Sequence, residues 1–243
     1  MKCLLFLCVL FLGLFISKAQ TMDGAWTLTY LNGEAVTNRE VIKIVQEGYF
    51  ALGSRDVLDN SFLGAAGGEF RIDNKNLIEI RDFDTYDDSK IGIEHQYLMT
   101  WVNESSIQLS SATSNKVWER VSINNDDLNG NWVITGRQRD GEMKTMTPGD
   151  RRTVKILGGG RFQWIAFNSD TKTLGASGGG TYTAQNGIYT ERITFFSKDK
   201  DRVGADLEFN YEVIKGEWHH QGNSSKGQPI YEIWSSYQKA YQK

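Results

Sequence analysis

Cysteine is almost absent from this chain. There are two in 243 residues, Cys3 and Cys8, both within the first eight positions. They lie in "MKCLLFLCVLFLGLFISKAQ", which has one early Lys, an apolar run from Cys3 to Ile16, and Ser17-Lys18-Ala19 before Gln20. That layout is a secretory signal peptide over residues 1–19 with cleavage after Ala19, so the expected location is secreted or periplasmic. The run is too short and too near the terminus for a comfortable membrane span. Cys8 lacks the small residue and longer apolar stretch that precede a lipidated cysteine, so neither an anchor nor membrane insertion is expected after cleavage. The exported chain then has no cysteine, and no disulfide helps hold it.

Histidine is nearly as scarce: His95, His219 and His220 are the full set. On a strand, adjacent His219 and His220 face opposite ways and cannot easily share a metal. The acidic turns Asp84–Lys90 and Lys198–Arg202 lack the ordered ligand spacing and the Gly of a calcium loop. No metal or cofactor is expected. Basic residues are also outnumbered. Without Lys2 and Lys18, the 27 basic residues become 25 against 30 acidic, a net charge of −5 that suits neither a nucleic-acid partner nor a polybasic membrane contact.

What is present is a duplication. "GAWTLTY" (Gly24 to Tyr30) returns as "GNWVITG" (Gly130 to Gly136) at an offset of 106. The offset then becomes 112 and holds: Lys43-Ile44 with Lys155-Ile156, Phe50 with Phe162, Gly67-Gly68 with Gly179-Gly180, Glu79 with Glu191, Phe83 with Phe195, Gly92 with Gly204. Two homologous units follow, 21–122 and 128–237, with a polar linker at 123–127 and a tail at 238–243. Within a unit the pattern is β: in "ADLEFNYEV" Ala205, Leu207, Phe209, Tyr211 and Val213 alternate with polar residues. About eight short antiparallel strands per unit suit an up-and-down barrel, whose closure removes exposed edges. A β-sandwich is the alternative.

Each unit begins with G-x-W, Gly24-Ala25-Trp26 and Gly130-Asn131-Trp132. This resembles the lipocalin family, whose G-x-W Trp closes one barrel end and is often covered by an Arg from the last strand. The resemblance implies barrel-closing roles for Trp26 and Trp132, and for Arg120 in "VWERV"; the second unit ends "YEIWSSY" and has no such Arg. The longer pattern "KI...GYF", "GAAGGEF", a Glu-bearing strand and "IYEIW" resembles secreted bacterial lipocalin-like domains of unknown function, in two tandem copies. That resemblance implies eight-stranded barrels with a cavity and no established ligand.

Strand phase places the candidate site. The phase of Leu207, Phe209 and Tyr211 puts His95, Tyr97, Met99 and Trp101 inside the first unit. The phase of Tyr189, Ile193 and Phe195 carries Glu191 inward, as Leu77 and Phe83 carry Glu79 and Arg81. A repeated carboxylate among apolar neighbours is either a polar anchor in a small-molecule pocket or a hydrogen-bonded register pin. The candidate ligand-binding residues are therefore Glu79, Arg81, His95, Tyr97 and Trp101 in the first unit, and Tyr189, Glu191, Phe209 and Tyr211 in the second. Trp164 alternates with Gln163 and Ile165, so its face is open. The expected function is non-enzymatic binding of a small, hydrophobic or amphipathic molecule in one or both barrels. The alternatives are filled barrels presenting loops to a protein or glycan, or an enzyme using a buried Glu or Ser177. Ser177 lies in Gly175-Ala176-Ser177-Gly178-Gly179, a G-x-S-x-G match, but an elbow needs a helix after it and "TYTAQNGIYTERITFF" reads as a hairpin. With Ala66 in its place in the first unit, the glycines read instead as a bend or bulge in a closing barrel.

Overall fold

The computed structural model describes residues 20–224 and 226–241; the signal peptide expected over 1–19 lies outside them. The first unit contains β1 (Gly24–Leu31), β2 (Glu34–Ala35), β3 (Arg39–Gln46), β4 (Tyr49–Asp56), β5 (Phe62–Asp73), β6 (Asn76–Asp84), β7 (Glu94–Asn103), β8 (Ser106–Ser110) and β9 (Asn115–Ser122). The second contains β10 (Gly130–Arg139), β11 (Glu142–Thr145), β12 (Arg151–Gly158), β13 (Arg161–Asn168), β14 (Thr173–Gln185), β15 (Ile188–Phe196), β16 (Asp206–Ile214), β17 (Glu217–Asn223) and β18 (Pro229–Ser236), followed by the short helix α1 (Tyr237–Ala240).

In the first unit β1 pairs with β3, each strand from β3 to β9 pairs antiparallel with the next, and β9 returns to β1 with Trp118 opposite Leu28. The second unit repeats this circuit, and β18 returns to β10 with Trp234 opposite Ile134. The strands β2 and β11 are flaps folded back on β1 and β10. Each unit is thus a closed eight-stranded up-and-down barrel with no free edge. Two-residue turns such as Glu47-Gly48 and Asn186-Gly187 join neighbouring strands. Both residues of each have positive φ, the twist-matched hairpin geometry in which Gly is at home.

The Gly-rich stretch lies inside β14, with a bulge between Gly179 and Gly180 that recurs between Gly67 and Gly68 in β5. A Cβ on Gly68 would collide with the Ile80 carbonyl oxygen, and one on Gly180 with that of Arg192. These bulges correct the expected phase of Phe83 and Phe195. Glu79 and Arg81 point inward, but past the bulge Phe83 pairs with Gly67 and turns to the outside, and Phe195 with Gly179 likewise. The register also makes Ala65, not Ala66, the counterpart of Ser177, because Ala65 faces Gly53 as Ser177 faces Ile165.

The outward apolar faces pack the two barrels together through Ile44, Ala51 and Phe83 on one side and Val154, Ile156 and Phe167 on the other. Phe83 and Phe167 have ring centroids 5.0 Å apart. The contact has a local two-fold character. The Glu47 side chain reaches the Asn131 amide at 3.4 Å, and the matching positions Gly159 and Ala25 also meet, since a Cβ on Gly159 would lie 2.7 Å from Ala25 N. Arg152 bridges to Asp82 at 2.7 Å, and Tyr49 donates to the same carboxylate at 2.9 Å. Ala240 and Tyr241 of the expected tail pack into this interface together with Tyr237, the last residue of the second unit.

Candidate functional site

One end of each barrel is closed by the segment before its first strand. Trp26 donates its indole N–H to the Met22 carbonyl at 2.8 Å, and Trp132 does the same to Leu128 at 2.9 Å. Met22 and Leu128 are buried there. Arg120 lies 4.0 Å over the Trp26 ring and donates to the carbonyls of Asp23 (2.6 Å) and Thr21 (2.5 Å). In the second barrel the position of Arg120 is taken by Ser236, opposite Trp132 in β18, whose hydroxyl caps α1 by accepting from Lys239 N. The chain turns into a helix where the first barrel carries its arginine.

Above this floor both barrels hold the same buried ion pair. Lys43 contacts Glu79, Lys155 contacts Glu191, and all four side chains are nearly fully buried. Lys43 sits between Val41 and Val45 on the inner face of β3, with its ammonium 4.4 Å from the Phe50 ring centre. Burial raises the Glu79 pKa, but the charges of Lys43 and Arg81 outweigh it and hold the carboxyl below its ordinary value. Tyr189 donates to Glu191 at 2.7 Å.

Beyond the ion pair the barrels diverge. In the first, Arg81 reaches Glu79 and Tyr97 Oη, each at 3.2 Å, and contacts Asp84, which is also buried. Burial and the negative charge of Glu79 push the Tyr97 hydroxyl up to about 12. A cavity of about 890 Å³ opens over this cluster. Its walls are Leu28, Val41, Leu52 and Trp118; Arg81, Tyr97 and Lys116 are its deep polar groups; Arg39, His95 and Ser114 stand towards the mouth. His95 fixes its ring through Nε2 to the Lys90 carbonyl at 2.9 Å.

The second barrel is filled. Trp164 occupies the Leu52 position and Phe196 the Asp84 position, their rings 5.4 Å apart, and Trp164 packs on the inner core. Ile193 stands where the first barrel has Arg81. Tyr189, Phe209 and Tyr211 are buried core residues around Trp218. Glu232 replaces Lys116; its charge is matched by Arg137, and His220 Nδ1 lies 3.4 Å from its carboxylate as a hydrogen-bond partner. Trp234 also donates to Glu232 at 3.1 Å. Above this filling a shallower concavity of about 670 Å³ remains at the mouth, lined by Ile134, Arg137, Arg151, Thr153 and Ala166, the counterparts of Leu28, Leu31, Arg39, Val41 and Ser54 of the first cavity, and by none of Tyr189, Glu191, Phe209 or Tyr211.

The structure therefore gathers Arg81, His95 and Tyr97 on one cavity, with Glu79 beneath. Trp101 does not join them. It lies at the closed end, 5.9 Å from Trp26, because the inner face of β7 runs the full height of the barrel. Trp164 and Phe196 take the space that the first barrel leaves open, so Tyr189, Phe209 and Tyr211 do not line the concavity at the mouth, and Glu191 touches a separate one of about 380 Å³ beside Tyr182 and Leu207. Tyr211 instead donates to Asp127 near the closed end at 3.2 Å. Ser177 is fully buried. It donates to the Trp164 carbonyl at 3.0 Å and accepts from Gln163 at 3.1 Å, so its hydroxyl ties strands together. His219 and His220 face opposite ways, His219 to Tyr231 and His220 into the core. Among the described residues no group of three or more His, Cys, Asp or Glu is placed to hold a metal ion.

Sequence reasoning missed Lys43, Lys155 and Lys116. The first two do carry a signal in the sequence: a Lys repeated in register on the apolar face of a strand. Lys116 had no such signal, because its counterpart is Glu232.

Closed eight-stranded antiparallel meanders with a capped floor have the architecture of lipocalin-like barrels. Residues 127–242, the second barrel, match the family model described as "Domain of unknown function (DUF4488)". Among solved structures, a lipocalin-like protein from Bacteroides uniformis is 17% identical with a TM-score of 0.31, the match covering 40% of this chain and 96% of that one. No curated protein matches the chain.

Proposed function

We propose that this is an exported, non-enzymatic binding protein whose first barrel holds a small amphipathic molecule while the second serves as a packed support. The observation that carries the reading is the contrast between homologous interiors. The same fold with the same buried ion pair leaves about 890 Å³ reaching down to Arg81, Tyr97 and Lys116 in one barrel, whereas in the other Trp164 and Phe196 take the deep space and leave a concavity of about 670 Å³ at the mouth. Apolar walls with a few convergent polar groups are the ordinary make-up of a small-molecule site, and the volume falls in the usual range. The large apolar contact between the barrels supports a scaffolding role for the second.

Native mass spectrometry of protein purified from its source tests this. The expected result is a retained ligand, seen as added mass that is lost in Leu52→Trp, which introduces into the first barrel the indole that fills the second. Added mass that survives Leu52→Trp unchanged would place the ligand elsewhere and overturn the reading.

A further inference from the structure

We propose that the cavity of the first barrel takes its ligand as an anion, with the anionic group held between Lys116 and Arg81 and the apolar body against Leu28, Val41, Leu52 and Trp118. This rests on the binding reading above and adds the charge and orientation of the molecule bound.

The first observation is an imbalance of charge. Inside the barrel, Lys43 is met by Glu79, and Arg81 by Glu79 and Asp84. Among the described residues Lys116 forms no salt bridge, and Glu79, which it feels at a distance, is already paired with Lys43 and Arg81. Its cross-strand neighbour in β1 is Leu31, whereas in the second barrel the same pair of positions holds Arg137 and Glu232, a matched pair. The Lys116 ammonium lies 5.2 Å from the Tyr97 ring, its contact among the described residues. Three cations thus stand against two carboxylates in a partly enclosed, low-dielectric space, where an unbalanced charge is costly.

The second observation is an imbalance of hydrogen bonding. Arg81 Nε and Trp118 Nε1, both on residues lining the cavity, are buried donors without a partner among the described residues, and an ammonium is a donor only. The interior has spare donors and spare positive charge, and an acceptor-rich anion such as a carboxylate, sulfonate or sulfate answers both. Tyr97 marks the place: its hydroxyl accepts from Arg81 and its ring lies beside Lys116.

The charged groups around Lys116 agree. Burial is the main cause that lowers its pKa, Glu79 opposes this, and Lys43, Arg81 and Lys90 lower it further, to about 8. Arg39, His95 and Glu94 stand farther out in the same lining. A bound anion restores the charged form, so affinity for an anion falls as the pH rises above about 8.

The test uses two fluorescent probes with one apolar body, anilinonaphthalene sulfonate and its uncharged parent N-phenylnaphthylamine, titrated into the full exported chain. At about pH 7 the sulfonate should bind more than about tenfold more tightly than the parent. That preference should largely vanish in Lys116→Met, persist in Lys116→Arg, and shrink at about pH 10. Leu52→Trp should abolish binding of both probes. Equal binding of the two probes, or a sulfonate preference untouched by Lys116→Met, would overturn the anion inference and leave the binding reading standing. Failure of both probes to bind, or binding unaffected by Leu52→Trp, would overturn the binding reading itself.

Discussion

Lys43 and Glu79, on strands β3 and β6, meet inside the first barrel with both side chains almost wholly withdrawn from water. Lys155 and Glu191 repeat the contact in the second. The flanking residues differ between barrels, so the pair belongs to the architecture of the barrel and the neighbours to its specialisation.

Breaking that pair should therefore be costly in either barrel. Removal of one partner strands a buried charge, worth about 3–5 kcal/mol. Lys155→Met should lower unfolding free energy by that amount, and the double change Lys155→Met with Glu191→Gln should cost much less than the two single changes added together. Denaturant unfolding of the four proteins measures the coupling. A single change costing less than about 1 kcal/mol, the figure for exposed pairs, would show that water reaches the carboxylate.

The glycine bulges carry a second prediction. A methyl group at Gly180 would meet the Arg192 carbonyl, which is part of the barrel wall and cannot move aside. Gly180→Ala should cost about 3 kcal/mol, the upper end of overpacking. Gly149→Ala, where nothing lies within 4 Å, should stay within about 0.5 kcal/mol. Equal effects at the two sites in thermal melts would remove steric closure as the reason for the glycine.

These glycines show where the sequence was legible. The doublets Gly67-Gly68 and Gly179-Gly180 mark the bulge, and the duplication, the strand alternation and the inward Glu79 and Glu191 are all local patterns. What the bulge does is not local. Strict alternation carries Phe83 and Phe195 inside with Glu79 and Glu191, but one extra residue in each strand, Asp82 after Arg81 and Thr194 after Ile193, reverses the phase and turns the rings into the contact between barrels. The contents of each interior were hidden for a related reason. Leu52 against Trp164 decides open or filled, and a tryptophan between Gln163 and Ile165 has no readable face until its neighbours across the barrel are known. Lys116 became visible only when closure of β9 on β1 set it opposite Leu31.

Acid should weaken the second barrel in two stages. Burial lowers the His220 pKa, so this ring is neutral when folded and takes up a proton on unfolding below about pH 6.5. Burial raises the Glu232 pKa, but the hydrogen bond from His220 and the charge of Arg137 outweigh it, leaving it at about 2, so unfolding also takes up a proton below about pH 4.5. In both cases the unfolded chain binds more protons, and stability falls as the pH falls. The melting temperature should drop from pH 7 to 5 and again towards pH 3. His220→Leu, which copies Leu109 of the first barrel, should flatten the upper stage; an unchanged slope would show that His220 is not its source.

The contact between the barrels predicts how the second unit behaves alone. Equivalent strands β3 and β12 face each other across it, with Ile44 and Ile156 in one apolar cluster and the Glu47–Asn131 and Gly159–Ala25 contacts related by the same local two-fold. An interface with that symmetry is nearly self-complementary, as in a two-fold homodimer. The fragment 123–243, lacking the first barrel, would expose Val154, Ile156, Ile165 and Phe167 to water, and a second copy offers the same apolar centre with a more polar surround. It lacks the Asp82 partner of Arg152, since Thr194 stands in that place, and it carries Arg161, Gln163 and Ser177 where the first barrel packs Tyr49, Ala51 and Ala65. The fragment should therefore self-associate into dimers at micromolar concentration, weakly enough to dilute apart, and Ile156→Asp should hold it monomeric. Light scattering on size-separated fragment reads the outcome directly. A soluble monomer across that range would mean that the face is stable in water and that the pairing of barrels depends on Asp82 and Arg152 instead.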